Sequence, residues 1–181
     1  MAEAYSDKDR SSYRYQYSVP AAVHGADVSA YFGPAAPNQG ADFELAFMSM
    51  SHSISTFYCV LRPLLMRPSL KAIWGNFSTQ NDPSIPAAVA NGASSQSSGS
   101  NTAPNPATDW PAFSVYAPYQ LNLNQTGGTP NQVPLIGGVN VTEFTEPGLR
   151  NDFSLVNAYT WEGGRGYRCD FWRSVGAIVP E

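Results

Sequence analysis

The chain has 181 residues, 43% of them hydrophobic, with a formal net charge of -4 and only 13% charged residues. It is long enough to bury a core of its own, and its acidic balance excludes the concentrated positive field that a nucleic-acid surface requires. No run of about 18 apolar residues occurs, so no membrane-spanning helix is expected, and sparse charge beside 15 Gly and 15 Pro describes a loop-rich chain with a neutral polar surface, as suits an extracellular protein.

Residues 1–10 are polar, with neither the basic start nor the apolar stretch of a signal peptide, so a secretion signal is expected to be absent or to lie upstream. Ser12 to Val19, SYRYQYSV, reads as a strand stopped by Pro20. Its alternation puts Tyr13, Tyr15 and Tyr17 on one face and Arg14, Gln16 and Ser18 on the other. No strand of comparable strength precedes it, so an exposed edge is expected.

After a loop from Pro20 to Asn38, Phe43, Phe47, Met50 and Ile54 recur at helical spacing within Asp42 to Phe77. Pro63 and Pro68 interrupt this stretch, which predicts one helix to about Arg62 and another from near Ser69 to Ser78. Ala87 to Asp109 has almost no large apolar side chain and is predicted to be a mobile surface loop. Trp110 to Leu123 suggests short extended pieces, and Gly/Pro-rich turns separate them from a terminal aromatic cluster, Tyr167 to Trp172.

Cys59 and Cys169 are too few for a disulfide scaffold and lack metal-ligand spacing. Neither a metal nor an organic cofactor is expected. Asn76, Asn124 and Asn140 open Asn-x-Ser/Thr triplets and are glycosylation candidates if the chain enters the secretory pathway.

The sharpest feature is Val23-His24-Gly25-Ala26-Asp27 followed by Tyr31-Phe32-Gly33, just after the strand and ahead of a helix. Strand ends leading into loops are where catalytic side chains concentrate, because the sheet fixes position while the loop frees the ring. The motif resembles the histidine loop of the type-B carboxylesterase/lipase family, A-x-H-G-x-[DE] and then an aromatic-Phe-Gly. Trp74 to Ser84 is similar to that family's W-x-N-F-x-x-x-x-D-P-N, Trp110-Pro111-Ala112-Phe113 to its W-P-x-Y, Tyr119 to Leu123 to its last strand, and Cys169-Asp170-Phe171-Trp172 to its C-D-F-W.

The resemblance covers about residues 10 to 175. It implies the C-terminal segment of an α/β-hydrolase, an incomplete sheet with helices and long irregular loops. It also implies a small-molecule or lipid ester as substrate. In that group the triad runs serine, acid, histidine, so His24 would be the catalytic histidine, serving as general base and then general acid. No Gly-x-Ser-x-Gly elbow or HGGG-type oxyanion loop is present, and Ser11, Ser12 and the serines between 94 and 100 lie where nothing holds a hydroxyl in attack geometry. The segment alone is therefore expected to be inactive.

Asp27, three residues from His24, is expected to anchor the loop rather than act as the triad acid. Trp74, Phe77, Trp110 and Trp172 read as packing residues, and His52 is given no role. In some family members the cysteine matching Cys169 bridges to one upstream of the histidine loop; none exists here, and a Cys59–Cys169 bond is left open. Two further readings stand beside the hydrolase: a non-catalytic, adhesion-like relative of the same fold, and an independent small domain with a new function.

Overall fold

The computed structural model describes residues 11–32, 34–49, 81–92, 104–135 and 137–178. They hold helices together with one open sheet of three strands in the order β1-β2-β3, where β1 is Tyr15–Tyr17, β2 Tyr119–Pro134 and β3 Asn140–Asn157. β1 runs parallel to β2, with Tyr15 opposite Leu121 and Tyr17 opposite Leu123. β2 and β3 form a long antiparallel hairpin.

The two-residue period of a strand sorts the side chains into two faces. Tyr17, Leu121, Leu123 and Phe153 share the inner face, where Leu121, Leu123 and Phe153 are buried. Gln16, Asn122 and Ser154 share the outer one, where Ser18 Oγ donates to Asn122 Oδ1 and Asn122 Nδ2 to Ser154 Oγ at 3.4 Å.

Among the described residues four helices accompany the sheet: α1 (Val28–Phe32), α2 (Ala41–Ser49), α3 (Ala87–Ala90) and α4 (Trp161–Val175), with a 3-10 turn at Pro106–Thr108. Phe43, Ala46 and Phe47 in α2 fall at i, i+3 and i+4, and all three are buried. Phe43 meets the rings of Tyr17 and Phe153 edge-on at 6.0 and 5.9 Å and stacks on Phe47 at 5.7 Å. Burying one such ring contributes about 1.5–3 kcal/mol, so this aromatic layer binds α2 to the sheet. No described helix is long and apolar enough to cross a membrane.

Several expectations are corrected. The strand from Ser12 to Val19 shortens to Tyr15–Tyr17, because only those residues have ladder partners. The extended backbone around it still bonds, Phe113 N–H to Ser12 O at 2.7 Å, Leu121 N–H to Arg14 O at 2.9 Å and Ser18 N–H to Leu123 O at 2.9 Å. β1 also acquires a partner from far downstream, so it is no strand without neighbours. Its other edge carries no strand among the described residues.

The short extended pieces and turns expected after Trp110 are instead the β2–β3 hairpin. Its prolines and glycines mislead because β2 is central only at 121–123, where β1 covers it. Beyond that point each strand is an edge among the described residues, and Pro130 or Pro134 removes no bond to a third described strand. Gly127, Gly128 and Gly148 have positive φ and sit where the register shifts, so they form a bulge rather than a break.

The loop expected over Ala87 to Asp109 is ordered at both ends. Ala90 and Ala107 are buried, and Asn105 Nδ2 donates to Asn91 Oδ1 at 2.9 Å and to Ala90 O at 3.3 Å. Small side chains let the two ends approach closely, and Asn105 joins them. Residues 93–103 lie outside the described residues. So do the helix continuing to Arg62, the helix from Ser69 to Ser78, His52, Cys59, Trp74, Phe77 and the sequon at Asn76.

The terminal aromatic cluster lies on α4, a helix the sequence did not announce. Glu162, Gly163 and Gly164 lie in the left-handed region, and Arg168 donates to the carbonyls of Glu162 and Gly163, bracing this opening. Trp110 is 7% exposed, as a packing residue should be, but Trp172 is 62% exposed. The reason is that α4 has no buried residue; the ring of Trp172 meets Phe171 at 5.3 Å.

Candidate functional site

β1 delivers the chain into the histidine turn. Ala26 N–H donates to Val23 O at 3.0 Å, closing a four-residue β-turn with His24 and Gly25 at its centre. Gly25 has φ +77°, while His24 is not among the residues with positive φ. That combination defines a type II turn, whose third position admits glycine readily and most other residues poorly. The glycine after the histidine is thus explained by backbone geometry. Val28 N–H donates to Gly25 O and Ala30 N–H to Asp27 O, each at 3.0 Å, which carries the turn into α1.

The turn stands out from the surface: residues 22–25 are all exposed. The His24 side chain makes no hydrogen bond with any described residue, so both ring nitrogens are open to an incoming group. An imidazole in that state can accept a proton and return it. It lies beyond the carboxyl end of β1, and β2 points the same way, the end of a parallel pair at which α/β proteins usually place ligands.

What the turn lacks in burial it gains in tethers. Tyr15 Oη donates to Asp27 Oδ2 at 3.1 Å, so Asp27 is tied to β1. No hydrogen bond joins it to His24. Asn38 Nδ2 donates to Pro20 O at 2.6 Å, holding the exit of β1. Gln39 reaches Tyr17, Ala26, Ser29 and Ala36. Residues 38–40 are fastened in turn to β2, with Gln125 Nε2 donating to Asn38 O and Gly40 N–H to Gln125 Oε1, both at 2.8 Å. Burial pushes the Tyr17 hydroxyl above its ordinary pKa, its bond from Gln39 opposes the rise, and the carboxylates of Asp27 and Glu143 add to it. Tyr17 therefore stays protonated at neutral pH.

The remaining candidates are scattered. Asn124 is half-buried on β2, and its Oδ1 accepts from Gln125 N–H at 2.9 Å, whereas Asn140 is exposed at the start of β3. Cys169 is exposed on α4. Among the described residues, no group of three or more His, Cys, Asp or Glu side chains could hold a metal ion.

The sequence points to the His24 turn but not to the side chains that tether it. Gln39 and the hydroxyls of Tyr15 and Tyr17 form the framework. One signal was available: tyrosine rather than phenylalanine at alternate positions of a core-facing strand implies hydroxyls with partners. No family model, curated protein or solved structure matches this chain.

Proposed function

We propose that this chain supplies the histidine of a serine-type carboxylic-ester hydrolase built on the α/β-hydrolase fold. The observation that carries the reading is His24 itself, an unengaged imidazole presented by a tethered type II turn at the carboxyl end of a parallel strand. Its ring would take the proton of a serine hydroxyl as that oxygen attacks an ester carbonyl. It would then pass the proton to the departing alcohol, leaving an acyl-serine for water to cleave. The sequence holds no nucleophile elbow, so serine and acid would come from outside these residues. Small-molecule or lipid esters are the proposed substrates. The proposed location is extracellular, with Asn140 the best-exposed glycan acceptor among the described residues.

A second reading, a non-catalytic binding module, draws on the exposed rings of Tyr167, Phe171 and Trp172. Hydrolysis of p-nitrophenyl butyrate separates the two. In the protein as its source makes it, His24→Ala should lower kcat by on the order of 10⁴-fold or more. The 181-residue chain alone should give no acyl-enzyme burst. Full activity in the His24→Ala protein would sink the hydrolase reading, and a protein inactive with or without His24 would favour the binding module.

A further inference from the structure

We infer that Gln39 is a positioning residue of the histidine turn, a buried side chain that, beside the Tyr15–Asp27 bond, transmits the rigidity of the sheet to His24. The inference rests on the reading of His24 as the working group. Gln39 is 5% exposed, and a primary amide has two N–H donors and two oxygen lone pairs. All four are used. Nε2 donates to Tyr17 Oη at 2.8 Å and to Ala26 O at 3.2 Å. Oε1 accepts from Ser29 Oγ at 2.9 Å and from Ala36 N–H at 3.1 Å.

This saturation fixes the orientation of the amide. Turning it over would set its NH₂ against the Ala36 N–H, donor against donor, and its oxygen against the Ala26 carbonyl, leaving partly buried groups unpaired. The backbone below is equally constrained. Gln39 N–H donates to Ala36 O at 2.8 Å, closing a turn with Pro37 in its favoured second place, and Gln125 grips residues 38 and 40 on either side.

The contact with Ala26 makes this more than local packing. Ala26 is the last residue of the turn whose centre is His24 and Gly25, and its own N–H closes that turn. Gln39 holds its carbonyl against Tyr17, which α2 clamps through Phe43. The exposed turn has no apolar burial to fix it, so its place relative to β1 depends on this amide and on the Tyr15–Asp27 bond. A misplacement of about 1 Å at a reacting group lowers a rate about 10²-fold. Gln39 therefore acts on chemistry through Ala26 without touching a reactant.

The test has two arms, on Gln39→Leu and on Tyr17→Phe, which removes only the hydroxyl that Gln39 grips. In the 181-residue chain, ¹⁵N relaxation should show the His24 and Gly25 amides falling from an order parameter near 0.85 to below about 0.6 in Gln39→Leu. Tyr17→Phe should fall part of the way, with Leu121 and Leu123 in β2 unchanged in both. In the protein as its source makes it, kcat on p-nitrophenyl butyrate should drop about 10²-fold with KM held. Unchanged order at His24 in both variants overturns the inference, whatever the protein does to esters. A loosened turn in a protein whose hydrolysis ignores His24→Ala upholds the mechanical role of Gln39 and overturns its catalytic consequence.

Discussion

Replacing Gly25 with alanine isolates the backbone demand of the histidine turn. Gly25 sits at φ +77°, and among the described residues a Cβ built there meets no atom closer than Val28 Cγ2 at 3.9 Å, ordinary van der Waals contact. Sterics with the other described residues therefore drop out, leaving the left-handed conformation as the term to weigh. For an L-residue that conformation costs roughly 1–2 kcal/mol. Losing glycine's freedom in the unfolded chain opposes this with about 0.4–1 kcal/mol. The net expectation for Gly25→Ala is about 1 kcal/mol of destabilisation. Asparagine, which tolerates the left-handed region better, should recover part of it. Urea unfolding read at constant m-value measures both, and a thermal scan should register a fall of about 2–4 °C. The decisive feature is the sign. Were the turn of another type, with negative φ at residue 25, alanine would stabilise the protein; a rise in midpoint for Gly25→Ala would refute the type II assignment.

Two further perturbations probe the rest of the frame. A Cβ at Gly166 would lie 2.5 Å from Tyr159 Cα and 2.7 Å from its ring, so Gly166→Ala should push the start of α4 off Tyr159. The expected destabilisation is roughly 1–3 kcal/mol, and hydrogen exchange should show protection lost first between residues 161 and 175. The Tyr17 hydroxyl is raised above its ordinary pKa, first by burial. The unfolded chain therefore releases its proton at lower pH than the folded one, and stability should fall as pH rises past about 10. Urea midpoints between about pH 9 and 11 should decline less steeply in Tyr17→Phe than in the wild type, and equal slopes would contradict the assigned direction.

What could be read from the sequence was local. The amphipathic spacing of Phe43 and Phe47 located the inner face of α2, alternating tyrosines located the inner face of β1, and the His24-Gly25 pair located the exposed turn after β1. Each of these signals lies within a few residues of its structural consequence. What could not be read depends on residues far apart. Nothing near Tyr15–Tyr17 names Leu121–Leu123 as its partner. Nothing near Gln39 announces that its amide will meet Tyr17, Ala26, Ser29 and Ala36. The hairpin was hidden differently: its glycines and prolines carry the composition of turns, and only the limited reach of β1 along β2 shows why a strand tolerates them. α4 was hidden by an opening of three left-handed residues, Glu162, Gly163 and Gly164, which reads as a loop, and by aromatic residues that suggest burial while standing in solvent.

The parallel pairing of β1 with β2 also sets an order of events during synthesis. Ser18 and its bonding partner Asn122 are 104 residues apart, whereas β2 and β3 are joined by a short connection and can zip as a local hairpin within microseconds. At about 5–20 residues per second, β1 leaves the ribosome roughly 5–20 s before its partner strand exists. Closing so long a loop is entropically expensive and slow compared with forming local contacts. The tyrosine-rich strand thus waits unpaired, and the histidine turn that hangs from it reaches its folded shape late among the described residues.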